Sequence, residues 1–152
     1  MERVIGLGGI FFKAQNPEKL RDWYKKHLGM TPDEYGSVVF EWNHKNSEKK
    51  GHTVWSLFPK DTDYFKPSDA PFMINYRVAD LAKLLEQLRK EGVEVDDKVE
   101  EYEYGRFGWI MDPEGNRIEL WEPPENTDWK DVLPMRLSLK SIQTKLFKRK
   151  DL

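Results

Sequence analysis

The same succession of elements is written twice in this chain, and that constrains its fold more than any other feature. Val4 to Ala14 reads as a strand with Ile10, Phe11 and Phe12 at its centre. Asn16 follows as an N-cap, and Pro17 suits the first helical position. Leu20, Trp23, Tyr24 and Leu28 then share one helical face, and Gly29 supplies the stop. Pro71 to Val78 restarts the pattern as a strand. Asp80 is the second N-cap, Leu81, Leu84, Leu85 and Leu88 fall at i, i+3, i+4 and i+7, and Gly92 ends the helix. Gly36 to Trp42 and Thr53 to Phe58 read as strands of the first half, while Lys60 to Ala70 reads as a connector. Val93 to Tyr104 contains one strand of the second half. Asn16 and Asp80 occupy one place in the repeat, and Gly29 and Gly92 another. An internal βαβββ duplication follows. A helix covers one sheet face of each module, so the two remaining faces have to close around a shared cleft.

The second half ends in a hairpin, Gly105 to Pro124. Pro113 presets a negative φ, Asp112 can bond the backbone two residues on, and Gly115 supplies a positive φ. Strands over roughly 106–111 and 117–122 are expected on either side. Alternation puts Ile118 and Leu120 on one face, and Arg117, Glu119 and Trp121 on the other. Ile118 and Leu120 belong under a helix. The carboxylate of Glu119 then faces either plain solvent, with Arg117 as a surface partner, or a wet concave site.

Length and composition fit one domain, or two small modules sharing a core. The 152 residues carry a net charge of −2, which gives no footing for a whole-surface nucleic-acid or anionic-membrane binder. With no cysteine there are no disulfides, thiolate metal sites or cysteine nucleophiles. Met1 to Ile5 shows no basic start leading into a long apolar run, so no signal peptide is expected, and no stretch has the length of a membrane span. A soluble cytoplasmic protein is the expectation. Residues 125–152 lie outside the duplication as a C-terminal extension with a basic end, read as a solvated tail.

Three segments carry a family resemblance. The first is Asn16-Pro17-Glu18-Lys19-Leu20-Arg21-Asp22-Trp23-Tyr24, closing at Leu28-Gly29. The second is Tyr76-Arg77-Val78-Ala79-Asp80. The third is Tyr104-Gly105-Arg106 leading into Asp112-Pro113-Glu114-Gly115-Asn116-Arg117-Ile118-Glu119-Leu120. With these the chain resembles the vicinal oxygen chelate superfamily, that of glyoxalases, bleomycin-resistance proteins and extradiol dioxygenases. The resemblance implies an α+β fold with two βαβββ modules, about 4–59 and 71–124, forming a curved mixed sheet around one cleft in a domain spanning 1–124. It also implies a homodimer.

The family's metal enzymes hold a divalent cation with His, Gln or Glu from the first and last strand of each module. Counted back from the helix caps, these positions fall at Gly9 and Met73. The segment Thr53 to Phe58 has no carboxylate or imidazole, and Glu119 is the one match. No metal or other cofactor is therefore expected, with an atypical divalent-metal site of Glu119 and His52 as the alternative. His27, beside the first helix stop, and His44, in a polar loop, are not candidates. The same register points Phe11, Lys13, Asn75, Arg77, Glu119 and Trp121 inward. Trp55 or Ser56 is expected from the first module's last strand, and Phe107 and Trp109 from the hairpin. Such an aromatic box with a few polar anchors suits a small organic molecule. Lys13 and Arg77 would favour a carboxylate or phosphate. The functional expectation is a metal-free small-molecule-binding protein. The alternative is a glyoxalase-like lyase or isomerase, or a dioxygenase-type enzyme, with Glu119 as acid or base. Neither a nucleic acid nor a membrane is an expected partner.

Overall fold

A computed structural model describes residues 1–43 and 50–124. The chain runs β1 (Val4–Ala14), α1 (Pro17–Leu28), β2 (Ser37–Asn43), β3 (Lys50–Pro59), β4 (Phe72–Val78), α2 (Leu81–Lys90), β5 (Val95–Tyr102), β6 (Gly105–Met111) and β7 (Arg117–Glu122). Both modules join one seven-stranded sheet in the order β2-β3-β1-β4-β7-β6-β5. The β1–β3 and β4–β7 pairs are parallel and the others antiparallel, so the sheet is mixed. Among the described residues the first module has two strands after its helix, where the duplication predicts three. Asp33 forestalls the extra strand, because its Oδ1 accepts from the backbone N–H groups of Tyr35 and Ser37, both at 2.9 Å, and folds residues 33–37 into a tight turn. His44 and the extension 125–152 lie outside the described residues.

The caps form as the sequence implies. Asn16 accepts from the Lys19 N–H and Asp80 from the Lys83 N–H, each at 3.0 Å, and Gly29 takes the left-handed conformation at φ 66°. The hairpin turn is held by Asp112, whose Oδ1 accepts from the N–H groups of Glu114 and Asn116 at 2.9 Å. These bonds, led by that from the Asn116 side chain, hold the Asp112 carboxyl below its usual range.

Alternation then sorts the side chains. Direct pairing of Ile10 with Ile74 and Phe12 with Phe72 sets Ile10, Phe12 and Ala14 of β1 on one face with the even-numbered residues of β4, while a register shift before Gly9 turns Gly8 to the other. Both helices pack there. Leu81, Leu84 and Leu85 of α2 bury against Val78 and Leu120, and Leu20 and Tyr24 of α1 pack on Ala14, Val38, Trp55 and Leu57. The opposite face carries Phe11, Met73, Trp109 and Trp121, and the connector between β3 and β4 packs Phe65 onto them. That connector fills part of the concave face, so the shared cleft is smaller than two bare modules would leave. No helix among the described residues is long and apolar enough to cross a membrane.

Candidate functional site

Glu119 sits at the centre of the concave face and is 2% exposed. Three elements converge on it. On β4, Asn75 is its lateral neighbour and donates from Nδ2 to Oε1 at 2.6 Å. On β6, Trp109 is its antiparallel partner and donates from Nε1 to Oε2 at 3.0 Å. From the connector, the Tyr64 hydroxyl donates to Oε2 at 2.5 Å. Burial raises the Glu119 carboxyl above its ordinary range, while these three hydrogen bonds and the charge of Arg117 pull the other way. Burial and the facing carboxylate push the Tyr64 hydroxyl well up. Glu119 has no ion-pair partner among the described residues. Arg117, whose charge reaches it, is itself paired with Asp96 at 2.9 Å.

Above Glu119 lies a cavity of about 60 Å³. A single water needs roughly 10–15 Å³ by this measure, so the space suits one compact organic group or a few waters. The first module lines it with Gly8, Phe11, Ser37, Val54, Ser56 and Phe58, and the second with Asn75, Tyr102, Tyr104, Phe107, Glu119 and Trp121; Tyr64 comes from the connector. Three ring pairs lie nearly parallel: Phe58 with Tyr64 at 8°, Tyr102 with Tyr104 at 10°, and Phe107 with Trp121 at 10°. The Ser37 and Ser56 hydroxyls bond each other at 3.1 Å. Gly8 is required by close approach, because a Cβ there would collide with Asn75 Oδ1. That buried oxygen accepts no hydrogen bond among the described residues.

Of the residues expected at a ligand, Phe11, Asn75, Phe107, Glu119 and Trp121 line the cavity. Trp109 stands behind Glu119 as its donor. The other three expected residues do not line the cavity. Trp55 lies on the helix face, 4.8 Å from the Tyr24 ring, because Phe11 pairs with Ser56 and so sets Ser56 on the cleft side. Lys13 is on the cleft face but at its edge, its Nζ 5.4 Å from the Phe65 ring. Arg77 lies 5.7 Å from both the Trp42 and the Trp121 ring, outside the cavity wall.

The alternative metal pair is not assembled either. His52 does not line the cavity, and its Nε2 lies 3.7 Å from Glu41 on the neighbouring strand. The residues present do not fit a divalent cation. Around the Glu119 carboxylate stand an O–H and two N–H donors, which turn positive hydrogens toward the place a cation would take. Gly8 and Gly9 bring no side chain, and Val54 and Ser56 bring no carboxylate or imidazole. No group of three or more His, Asp or Glu side chains among the described residues could hold an ion. Counting from the caps pointed to Met73, whereas the pairing makes Asn75 the neighbour of both Gly9 and Glu119.

Sequence reasoning missed Tyr64, Tyr102 and Tyr104. Tyr64 had a signal: Tyr64-Phe65 is an aromatic pair inside a turn-rich connector, and such rings seek burial.

Fold and cleft together define a paired-module α+β protein with a concave site between its halves. The family profile of the Glyoxalase/Bleomycin resistance protein/Dioxygenase superfamily matches residues 7–120, and the chain belongs to that superfamily. No curated protein matches the sequence. Among solved structures, a methylmalonyl-CoA epimerase in complex with methylmalonyl-CoA and NH4+ is similar with a TM-score of 0.59 and 15% identity, over 81% of this chain and 97% of that one. The methylmalonyl-CoA epimerase of Mycobacterium tuberculosis gives 0.51 and 21%, over 80% and 89%. A catechol 2,3-dioxygenase gives 0.53 and 24%, over 82% of this chain and 41% of that one. At such identities the likeness is one of fold.

Proposed function

We propose that this protein binds a small organic molecule in the concave cavity without a metal ion. The observation that carries this reading is the state of Glu119. The carboxylate is enclosed by three hydrogen-bond donors and seven of the cavity's thirteen lining residues are aromatic, so the site is built as an organic pocket with one acidic anchor. The test is a tryptophan-fluorescence and calorimetric screen of small organic compounds on protein treated with a chelator. Binding is expected to survive the chelator and to be lost in Ser56→Phe, which fills the cavity from β3. Binding that requires added metal, or that ignores the filled cavity, would overturn the reading.

A second reading has one observation in its favour. A carboxyl raised by burial is suited to carry a proton to or from a bound substrate, and Tyr64 is poised to relay it. In that case Glu119 is the acid or base of a metal-free lyase or isomerase. Turnover of any bound compound that persists in the chelator and vanishes in Glu119→Gln, with binding retained, is the expected signature. Binding without turnover across the compounds found would set it aside.

A further inference from the structure

The cavity wall is electrically one-sided. Its lining includes one carboxylate and no lysine, arginine or histidine. The two basic residues expected to anchor an acid are elsewhere, Lys13 beside Phe65 and Arg77 between Trp42 and Trp121. Aromatic rings carry negative faces, and a wall of rings around a desolvated carboxylate favours positive charge. Anionic ligands would meet that potential with no counter-charge. The space of about 60 Å³ is too small for a drug-sized body and suits one compact group.

We infer that the cavity receives the head group of an organic cation, an alkylated ammonium, with Glu119 as its counter-ion and the surrounding rings as a cation–π wall. This deepens the reading of the cleft as a metal-free organic-ligand site and rests on it. A fully alkylated ammonium carries no N–H and needs no hydrogen-bond acceptor, and its methyl groups pack on rings such as Phe11, Phe58 and Phe107. Glu119 already has its donors, so it meets the ligand as a charge and not as a hydrogen-bond partner. The remainder of the ligand would project from the cavity.

Binding of the cation would favour the ionised form of Glu119, which burial disfavours in the free protein. The groups facing that carboxylate are Tyr64 from the connector, Asn75 from β4, Trp109 from β6 and the charge of Arg117 from β7. Asn75 and Trp109 do not ionise between about pH 5 and about pH 8, and an ordinary tyrosine ionises near about 10. The nearby tyrosines, Tyr64 and Tyr102, are pushed still higher by burial. His52 lies with Glu41, and the Glu119→Gln variant separates any effect of that pair from that of Glu119.

The experiment is a fluorescence titration of the chelator-treated full chain with three probes. They are choline, its uncharged carbon analogue with a tert-butyl group in place of trimethylammonium, and benzyl alcohol. At about pH 8 choline is expected to bind roughly tenfold more tightly than its analogue, and the gap is expected to narrow as the pH falls to about 5. In Glu119→Gln the preference is expected to fall to about twofold or less at both pH values. If that variant does not fold, the pH dependence in the wild type decides alone. An analogue that binds as well as choline, or benzyl alcohol binding where choline does not, overturns the cation inference and leaves the organic pocket standing. If none of the three binds, the cation inference falls, and the pocket reading then stands or falls on the wider compound screen.

Discussion

The two modules have the same plan and give the cleft different chemistry. β1 and β3 form one parallel pair, β4 and β7 the other, and each pair lays its side chains on the concave face. The second pair contributes Asn75, Glu119 and Trp121. The first contributes Gly8, Phe11, Val54 and Ser56. A site that grips one cation from both halves needs acceptors on both sides. Here the one lining carboxylate, Glu119, comes from the second pair, and the glycines opposite leave room for Asn75 and the Phe11 ring. The helices repeat the contrast. α2 fully buries Leu81, Leu84 and Leu85, whereas α1 has no fully buried residue and leaves Trp23 and Leu28 about half exposed. The second module is therefore both the better-packed half and the chemically equipped one. A repeated backbone plan does not oblige its copies to share side-chain work.

Three substitutions can break or sharpen this contrast. The largest effect is expected from Leu84→Ala, which empties a packed site under α2 and should cost about 2–5 kcal/mol, against about 1 kcal/mol for half-buried Leu20→Ala in α1. Equal losses in denaturant unfolding would deny that the second module is the more tightly packed. Next comes Gly8→Ala. Its methyl would displace Asn75 from Glu119, so a loss of about 1–3 kcal/mol with weakened ligand binding is expected. A fully stable variant with unchanged binding would mean that the first module's strand does not depend on the missing side chain.

The smallest effect concerns pH. Because burial raises the Glu119 carboxyl, the native chain holds that proton more tightly than the unfolded chain does. Its contribution to stability is complete below the ordinary carboxylate value, about 4.3, and declines as pH rises through the raised native value. Glu119→Gln has no such proton. Its stability relative to the wild type should therefore rise as pH goes from about 4 to about 7. A relative stability that stays flat, or falls, would show that the carboxyl is not raised. The other perturbed carboxyls, such as Asp80 and Asp112, are lowered and act in the opposite sense, which is why the comparison is made between the two proteins.

Much of the fold was legible because its signals are local. Asn16, Asp80, Asp112 and Gly29 act within their own turns, and the predicted β1 and hairpin strands agree with those observed to within a residue. Glu119 stood out because a carboxylate between Ile118 and Leu120 contradicts an apolar strand. The phase of β3 was not legible. Both its faces are buried, so Trp55 and Leu57 look as internal as Val54 and Ser56, and only the pairing of Phe11 with Ser56 decides which side sees the cleft. Distance along the chain hid the rest. Tyr64 meets Glu119 across 55 residues, and no spacing rule connects a connector tyrosine to a hairpin carboxylate. Lys13 and Arg77 were placed on the right strands, but alternation gives a face and not a position along it.

The claim on which the account turns is that Glu119 is held by protein donors and not by a metal ion. The most direct measurement is metal stoichiometry after stripping and reloading with nickel, zinc, manganese and iron, by elemental composition and calorimetry on wild type and Glu119→Gln. The account predicts no tight equivalent in either protein. About one tight equivalent per chain in the wild type, lost in Glu119→Gln, would contradict it.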